Sequence, residues 1–435
     1  MVQPAALPFL AHFTALQDPR QTAKVLYPLP ELLLLLLCGT VAGADDFVEL
    51  ALWGGEHLPF LRRFLPFARG IPSHDTLCEV VAALDPALFK TCFTNWVERL
   101  RDPGPETIAI DGKTSRRSHA RSKGRGPLHT VSAWATGQRL VLGQEAVSEK
   151  SNEITAIPLL LQRLKLAGAL VAIDAMGTQT AIAQTILDGG GDYVLVLKQN
   201  QPGPCVKVTA LFASPPTAIG TYRTVESGHG RLEARTHHVC HDVSGLLSGR
   251  GSSGELAFPD LAMVGMVESQ TDRDGRIGRE RRYYLCSAKL DAETFARVVR
   301  SHWGIENRLH WVLDLVFHDD LARLRMGHGP ANMAVVKHMA LNLLRQAKPT
   351  LSLKNRRKRA GWNTEYLAAL VQQTAQPFTR LPCVARLFLR DYFPGRDIYI
   401  WVDADIWLQG WWVIDAHRQG ALETGMAIAH ERERG

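Results

Sequence analysis

Asp111 and Asp174 each close a short apolar run, Ile108-Ala109-Ile110 in one case and Leu170-Val171-Ala172-Ile173 in the other. Such runs read as buried strands, and in a neighbouring parallel pair the two carboxylates meet at one end. Glu306 lies in a segment dense in aromatic and polar donors, Ser301-His302-Trp303-Gly304-Ile305-Glu306-Asn307-Arg308-Leu309-His310-Trp311. Hard oxygen donors suit Mg²⁺, which keeps several waters and needs few protein ligands. Two divalent ions about 4 Å apart activate an oxygen nucleophile, stabilise a leaving oxygen and offset charge on a phosphate, the three demands of phosphodiester cleavage. Each acid also has a plainer reading. Aspartates after strands commonly cap turns or helices, and a helical glutamate is commonly solvated or half of an ion pair. Asp314, Asp319 and Asp320 rival Glu306 for the third position, Asp314 lying about two helical turns on and so on roughly the same face.

The elements that must position these acids can be traced along the chain. Residues 16–101 are helical in pattern, with the run Leu32 to Leu37, an N-cap at Ser73 and a helix opened by Pro86 through Phe89, Phe93 and Trp96. The turn at Leu84-Asp85-Pro86 fits a helix-turn-helix or a hairpin packed on a core. After Pro103-Gly104-Pro105 come strands at Thr107–Asp111, His129–Trp134 and Arg139–Val147, a helix at Ile154–Leu164, a strand at Leu170–Ile173, a helix at Gln179–Leu187 and a strand at Tyr193–Leu197. The order β-β-β-α-β-α-β is that of an α/β RNase H-like core, a mixed five-stranded sheet with flanking helices, and it also suits other mixed α/β arrangements. Residues 202–290 read as a β-rich insertion, with strands at Arg231–Val239, Ala262–Val267 and Arg282–Leu285. Asp291 then caps a long helix through Phe295, Val298, Trp303, Glu306, Leu309 and Phe317 that carries Glu306 back to the aspartates. The chain so divides into a helical N-terminal domain (1–102), the α/β domain (103–348), a basic extension (349–372) whose Lys354 to Arg359 stretch closes the globular unit, and an atypical tail (373–435).

Composition narrows the classes. With 435 residues, 46% hydrophobic and 21% charged, the chain can bury a large core, and a net charge of +7 favours a polyanionic partner through counterion release. The seven cysteines are scattered without Cys-x-x-Cys or zinc spacing, as expected for reduced core thiols in a cytosolic protein. The leucine run falls short of the ~18 residues of a membrane span, and no early basic cluster marks a secretory signal. Lys113, Arg116, Arg117 and Arg121, with Lys123 and Arg125, form either a phosphate grip or a solvated loop. Lys198, Asn200 and Gln201 are phosphate contacts or a strand-end turn. Trp134 and Trp303 are stacking platforms for an extruded base, or core.

Asp111-Gly112-Lys113, Asp174-Ala175-Met176-Gly177-Thr178-Gln179, Tyr193 through Lys198-Gln199-Asn200-Gln201, and His302-Trp303-Gly304-Ile305-Glu306-Asn307 with Leu309-His310-Trp311 resemble the DDE transposases of bacterial insertion sequences. More narrowly they resemble the subgroup of the H-repeat-associated proteins, and Gly70-Ile71-Pro72-Ser73-His74-Asp75-Thr76 resembles the helical segment preceding that subgroup's core. The similarity spans roughly residues 10 to 365. It implies an RNase H-like fold with a β insertion and metal-dependent cleavage and strand transfer at element ends, with Asp111, Asp174 and Glu306 as the catalytic, metal-holding triad. It further implies two Mg²⁺ ions, with Mn²⁺ able to substitute, and double-stranded DNA as partner, both the terminal inverted repeats and the target. A homodimer on paired ends is expected, with no membrane, in the bacterial cytoplasm and at the nucleoid when bound. Where relatives often carry tyrosine, arginine and lysine around the glutamate, this chain has Val299, His302 and Leu313. DNA contacts there fall instead to Arg300, His302, Trp303, Asn307 and Arg308. An RNase H-fold endonuclease without strand transfer and a decayed copy that binds DNA without cutting are the competing readings. Beyond about Gln373 the resemblance ends, and Ile398-Tyr399-Ile400-Trp401-Val402-Asp403-Ala404-Asp405 is similar to the metal-binding strand of nucleotide-sugar glycosyltransferases. That tail reads as the remnant of an interrupted gene or as a family-specific extension.

Overall fold

The computed structural model describes residues 7–119, 126–147, 152–214, 219–228, 231–247, 258–273, 276–347 and 351–372. Arg121, Lys123 and Arg125 lie outside the described residues, as does the tail from 373 with its Asp-x-Asp strand.

The strands are β1 (Thr107–Ser115), β2 (Leu128–Ala135), β3 (Leu140–Ala146), β4 (Leu170–Ile173), β5 (Asp192–Leu197), β6 (Gly220–Gly228), β7 (Arg231–Cys240), β8 (Met263–Arg273) and β9 (Arg276–Cys286). Among the described residues they form one mixed sheet in the order β3-β2-β1-β4-β5-β9-β8-β7-β6. β1, β4 and β5 run parallel at its centre, and every other neighbouring pair is antiparallel. Ile108, Ala109, Ile110, Val171, Ile173 and Leu195 are buried. Successive residues of a strand point to opposite faces, so both faces of this centre are covered, which is why its strands read as continuous apolar runs. The segment 202–290 differs from expectation in two ways. It opens with a helix begun by Pro202, and its strands extend the core sheet, because β9 pairs with β5 from Val194–Cys286 to Leu197–Tyr283.

The helices include α1 (Leu29–Ala42), α2 (Phe47–Glu56), α3 (His74–Ala83), α4 (Pro86–Glu98), α5 (Glu153–Leu161), α6 (Thr180–Asp188), α7 (Pro202–Ala213), α8 (Ala292–His302), α9 (Trp311–Val316), α10 (Gly329–Gln346), α11 (Leu353–Trp362) and α12 (Thr364–Val371). α1 is buried along nearly its whole length because α2, α10 and α11 pack around it. The basic stretch expected to close the globular unit is itself part of that packing. Arg357 donates to Thr40 O at 3.1 Å and to Asp45 at 2.7 Å, and its guanidinium lies 4.7 Å from the Phe317 ring centroid. It thus satisfies carbonyls at the end of α1 that have no intrahelical partner. The hairpin of α3 and α4 has Ser73 and Asp85 as N-caps. α4 lies on β3 with Phe89, Phe93 and Trp96 buried, and its Lys90 binds Glu145 of β3, which Arg163 also binds. No helix among the described residues is long and apolar enough to cross a membrane.

The helix expected to run unbroken from Asp291 to Phe317 is divided. Asp291 caps α8 by accepting from Thr294 N at 2.7 Å. After Trp303, residues Glu306–His310 form a single π-turn that leads into α9. Such one-residue expansions are rare and recur at functional sites.

Candidate active site

Register sets the two aspartates side by side. Ile110 of β1 pairs with Ile173 of β4, so Asp111 and Asp174 are the next residues on adjacent parallel strands. β4 ends there, whereas β1 continues alongside β2 to Ser115, which makes Asp111 a mid-strand residue and not a strand end. Glu306 approaches from the helical side as the first residue of the π-turn. The three carboxylates line one cavity of about 230 Å³ with Lys198, Arg282, His302 and Trp303.

Local packing explains the neighbours of each acid. A Cβ on Gly112 would fall 2.1 Å from Glu153 Oε1 and 2.8 Å from His129 Nε2, so only glycine fits beneath that pair. His129 Nε2 binds Glu153 at 2.7 Å and its Nδ1 binds the Thr114 hydroxyl at 2.7 Å. Asp174 turns its own loop by accepting from Met176 N at 3.1 Å. Thr178 donates to Val196 O at 2.6 Å, Asn200 to Ala175 O at 2.6 Å and Gln201 to Thr178 O at 2.9 Å. The segment after β5 therefore braces the loop that carries Asp174.

Electrostatics are dominated by crowded carboxylates. Burial, joined by the charges of Asp174, Glu153 and Glu306, pushes Asp111 up to about 7 against a hydrogen bond from Gly112 N–H. His302 donates from Nδ1 to Ala172 O at 3.1 Å, and burial holds its imidazole below the ordinary value. His310 Nδ1 lies 3.4 Å from Asp111 Oδ2, and burial with the nearby Lys113 charge pushes it down to about 4. Neither histidine is cationic at neutral pH, so neither offsets the acids. No three His, Cys, Asp or Glu side chains among the described residues are drawn together tightly enough to hold an ion as they stand. The donor set is nevertheless hard oxygen bearing uncompensated negative charge, the chemistry that suits a divalent cation.

Residues 78–343 match the family described as "Transposase DDE domain", and residues 10–97 match "DDE_Tnp_1-associated". The chain belongs to the DDE transposase family. It is 35% identical over 375 residues to the "H repeat-associated putative transposase YhhI" of Escherichia coli K12, a match covering 83% of this chain and 97% of that one. It is 36% identical over 380 residues to the "Putative transposase YncI" of Escherichia coli O157:H7, covering 84% and 95%. Within the DDE transposases it therefore falls with the H-repeat-associated group.

The residues expected to touch DNA in this transposase are distributed unevenly. Lys198 is exposed beside the acidic cavity, and Trp303, 38% exposed, lines that cavity with the Arg282 guanidinium 4.6 Å from its ring centroid. Arg300, Asn307 and Arg308 line a second, larger cavity that shares Trp303. Arg116 and Arg117 are exposed in a short turn after β1. Four of the expected residues meet a different arrangement. Lys113 is buried with its ammonium 2.6 Å from Asp314, 3.3 Å from Asp320 and 3.5 Å from Asp319, so its donors are spent inside the protein. Asn200 and His302 each donate to a backbone carbonyl and act as braces. Trp134 is fully buried beneath Arg345, whose guanidinium lies 4.2 Å from its ring centroid, and offers no open face for stacking. The ion pair with Lys113 also accounts for Asp314, the nearest rival of Glu306.

Glu153, His129, Arg282 and His310 line or adjoin the acidic site without having been singled out. His310 was visible as the residue four after Glu306, on the same helical face. Glu153 stands just before the helix expected from Ile154, and Arg282 is brought to the site by the β5–β9 pairing.

Proposed function

We propose that this transposase cuts DNA at the ends of its element and joins the freed 3′ ends to a target, with Asp111, Asp174 and Glu306 as the catalytic acids. The observation that carries the reading is the convergence of these three carboxylates, from two parallel strands and a π-turn, on one cavity with Asp111 pushed up to about 7. The sheet order β3-β2-β1-β4-β5, with the first three strands antiparallel and the last two parallel to β1, supports an RNase H-like core. The acids would hold Mg²⁺, with Mn²⁺ as a substitute, and bound metal would supply nucleophile activation and charge compensation at the phosphate. Lys198 and Arg282, on the wall of the same cavity, hold the non-bridging oxygens of the scissile phosphate. Arg282 is held by Glu280 at 2.7 Å, and its guanidinium lies 4.6 Å from the Trp303 ring centroid. Terminal inverted repeats and target duplex are the partners, engaged as a homodimer on paired ends in the cytoplasm.

The test is cleavage of a labelled duplex bearing the element's own ends in Mg²⁺, native chain against Asp111→Asn. Nicking and joining at the ends, lost in the variant, supports the proposal. Nicking without joined product makes the protein an endonuclease, and end binding without either makes it a decayed copy.

A further inference from the structure

The sheet is open beside Asp111. β1 pairs with β4 only from Thr107–Leu170 to Ile110–Ile173, whereas its pairing with β2 continues to Ser115. Past Ile173 the β4 side of β1 therefore carries no strand among the described residues, and side chains from both faces of the sheet reach the backbone at Asp111 and Gly112. Asp111 turns to the cavity that Glu306 lines, with His310 beside it. Successive strand residues point to opposite faces, so Gly112 looks the other way, and there it meets Glu153. A Cβ on Gly112 would lie 2.6 Å from the Glu153 carboxyl carbon, so this carboxylate packs directly on the backbone next to Asp111.

Glu153 is the first residue of α5, a helix laid on β2 and β3 and capped by Asn152, which accepts from Ile154 N at 3.1 Å. Its side chain is only 14% exposed. One oxygen takes a hydrogen bond from His129 Nε2 at 2.7 Å, and the other takes none among the described residues. The bond to His129 does not require a charge, because a glutamine would offer the same oxygen acceptor. The charge is instead a cost, since it helps to raise Asp111. The N-terminus of α5 offsets part of that cost. Lys113, two residues beyond Asp111, offsets none of it by pairing, because its ammonium is bound to Asp314, Asp319 and Asp320. A carboxylate with one oxygen unengaged, held against other acids and paired to no lysine or arginine, is a donor that a hard divalent cation takes.

We infer that Glu153 is a fourth metal-holding carboxylate of the acidic site, taking a divalent cation together with Asp111 through the oxygen that His129 leaves free. The inference rests on the reading of Asp111, Asp174 and Glu306 as metal-holding acids. The cation site is then built from both faces of the sheet, with Glu306 supplied by the π-turn and Glu153 by the start of α5, and the gap left where β4 ends lets them share Asp111.

The experiment titrates the full chain, without DNA, with Mn²⁺, an ion that suits the same oxygen donors, and follows the loss of the free-ion electron paramagnetic resonance signal. Native chain, Glu153→Gln and Asp111→Asn are compared, with thermal midpoints taken in EDTA and in Mn²⁺. Glu153→Gln should weaken Mn²⁺ binding by at least the tenfold or so that losing even an outer-shell partner of a metal costs. Its midpoint in EDTA should equal or exceed the native one, because a repulsive charge has gone and the bond to His129 has stayed, and Mn²⁺ should raise that midpoint less than it raises the native one. Unchanged Mn²⁺ affinity in Glu153→Gln, while Asp111→Asn loses it, overturns the inference and leaves the three-acid reading intact. A Glu153→Gln chain that loses its fold in EDTA also overturns it, since the charge would then be structural. A native chain that binds no Mn²⁺ removes both readings.

Discussion

His310, the last residue of the π-turn, places its Nδ1 3.4 Å from Asp111 Oδ2. The contact does not neutralise Asp111, since burial and Lys113 keep the imidazole uncharged down to about pH 4. Asp111 is left as a carboxyl that ionises near 7, held beside three other acids. Its negative charge is destabilising until a cation arrives.

This gives a pH dependence with a definite sign. The folded carboxyl keeps its proton up to about 7, whereas the unfolded one releases it at the ordinary value near 3.8. Between those limits the native state binds more protons, so stability falls as pH rises through the window. Asp111→Asn removes that loss. In EDTA the variant should match the native chain at low pH and exceed it above pH 7, by roughly 2–4 kcal/mol at most. Thermal unfolding across the pH range reads the gap, and Mg²⁺ should narrow it by stabilising the native chain more. A gap that is constant with pH would mean that Asp111 titrates normally.

Glu306 and Asp314 separate by their partners. Glu306 is exposed to the acidic cavity, and Asp314 is bound by Lys113 at 2.6 Å. Glu306→Gln should therefore abolish strand cleavage, by about 10²-fold or more for a group acting on the transition state, with the unfolding midpoint unchanged. Asp314→Asn should retain cleavage and lower stability. The reverse pattern in a cleavage assay with parallel unfolding curves would move the third acid to Asp314.

Much of this arrangement was legible in the residues, and the limits have physical causes. The apolar runs before Asp111 and Asp174 announced buried parallel strands because both their faces are covered, and Leu32 to Leu37 announced a helix enclosed on all sides. The π-turn left no trace, since one inserted residue barely shifts a 3.6-residue pattern over so short a segment. Lys113 looked like a phosphate ligand because Asp314, Asp319 and Asp320 become its neighbours only through tertiary packing. The role of Arg282 depended on β9 joining β5, a pairing fixed by long-range closure that local sequence does not encode.

Asn200 offers a test of positioning. Its bond to Ala175 O at 2.6 Å, with that of Gln201 to Thr178 O, holds the loop whose first residue is Asp174. Asn200→Ala loses a hydrogen bond worth about 1 kcal/mol, and the consequence falls on the geometry of Asp174. The rate of cleavage at saturating DNA should drop about tenfold while DNA affinity and its salt slope stay constant. A weaker affinity with a shallower slope would instead make Asn200 a direct phosphate contact.

Lys113 carries the sharpest contrast between a structural and a DNA-binding role. Its ammonium is buried among Asp314, Asp319 and Asp320, and Asp319 is further held by Lys337 at 2.8 Å and the Ser115 hydroxyl at 2.6 Å. These cations hold Asp319 far below the ordinary carboxylate value despite its burial. Lys113→Met would leave Asp314 without its cation, Asp319 with Lys337 and Asp320 with Arg116, and removing one partner of a buried charge cluster costs roughly 3–5 kcal/mol. Urea unfolding should show that loss at neutral pH. Acid should lessen it, because protonating Asp314, which burial already raises, removes part of the repulsion. The DNA salt slope, measured where the variant is still folded, should not change, since no phosphate contact has been removed. A stable variant with a shallower slope would show that Lys113 leaves its aspartates to bind DNA.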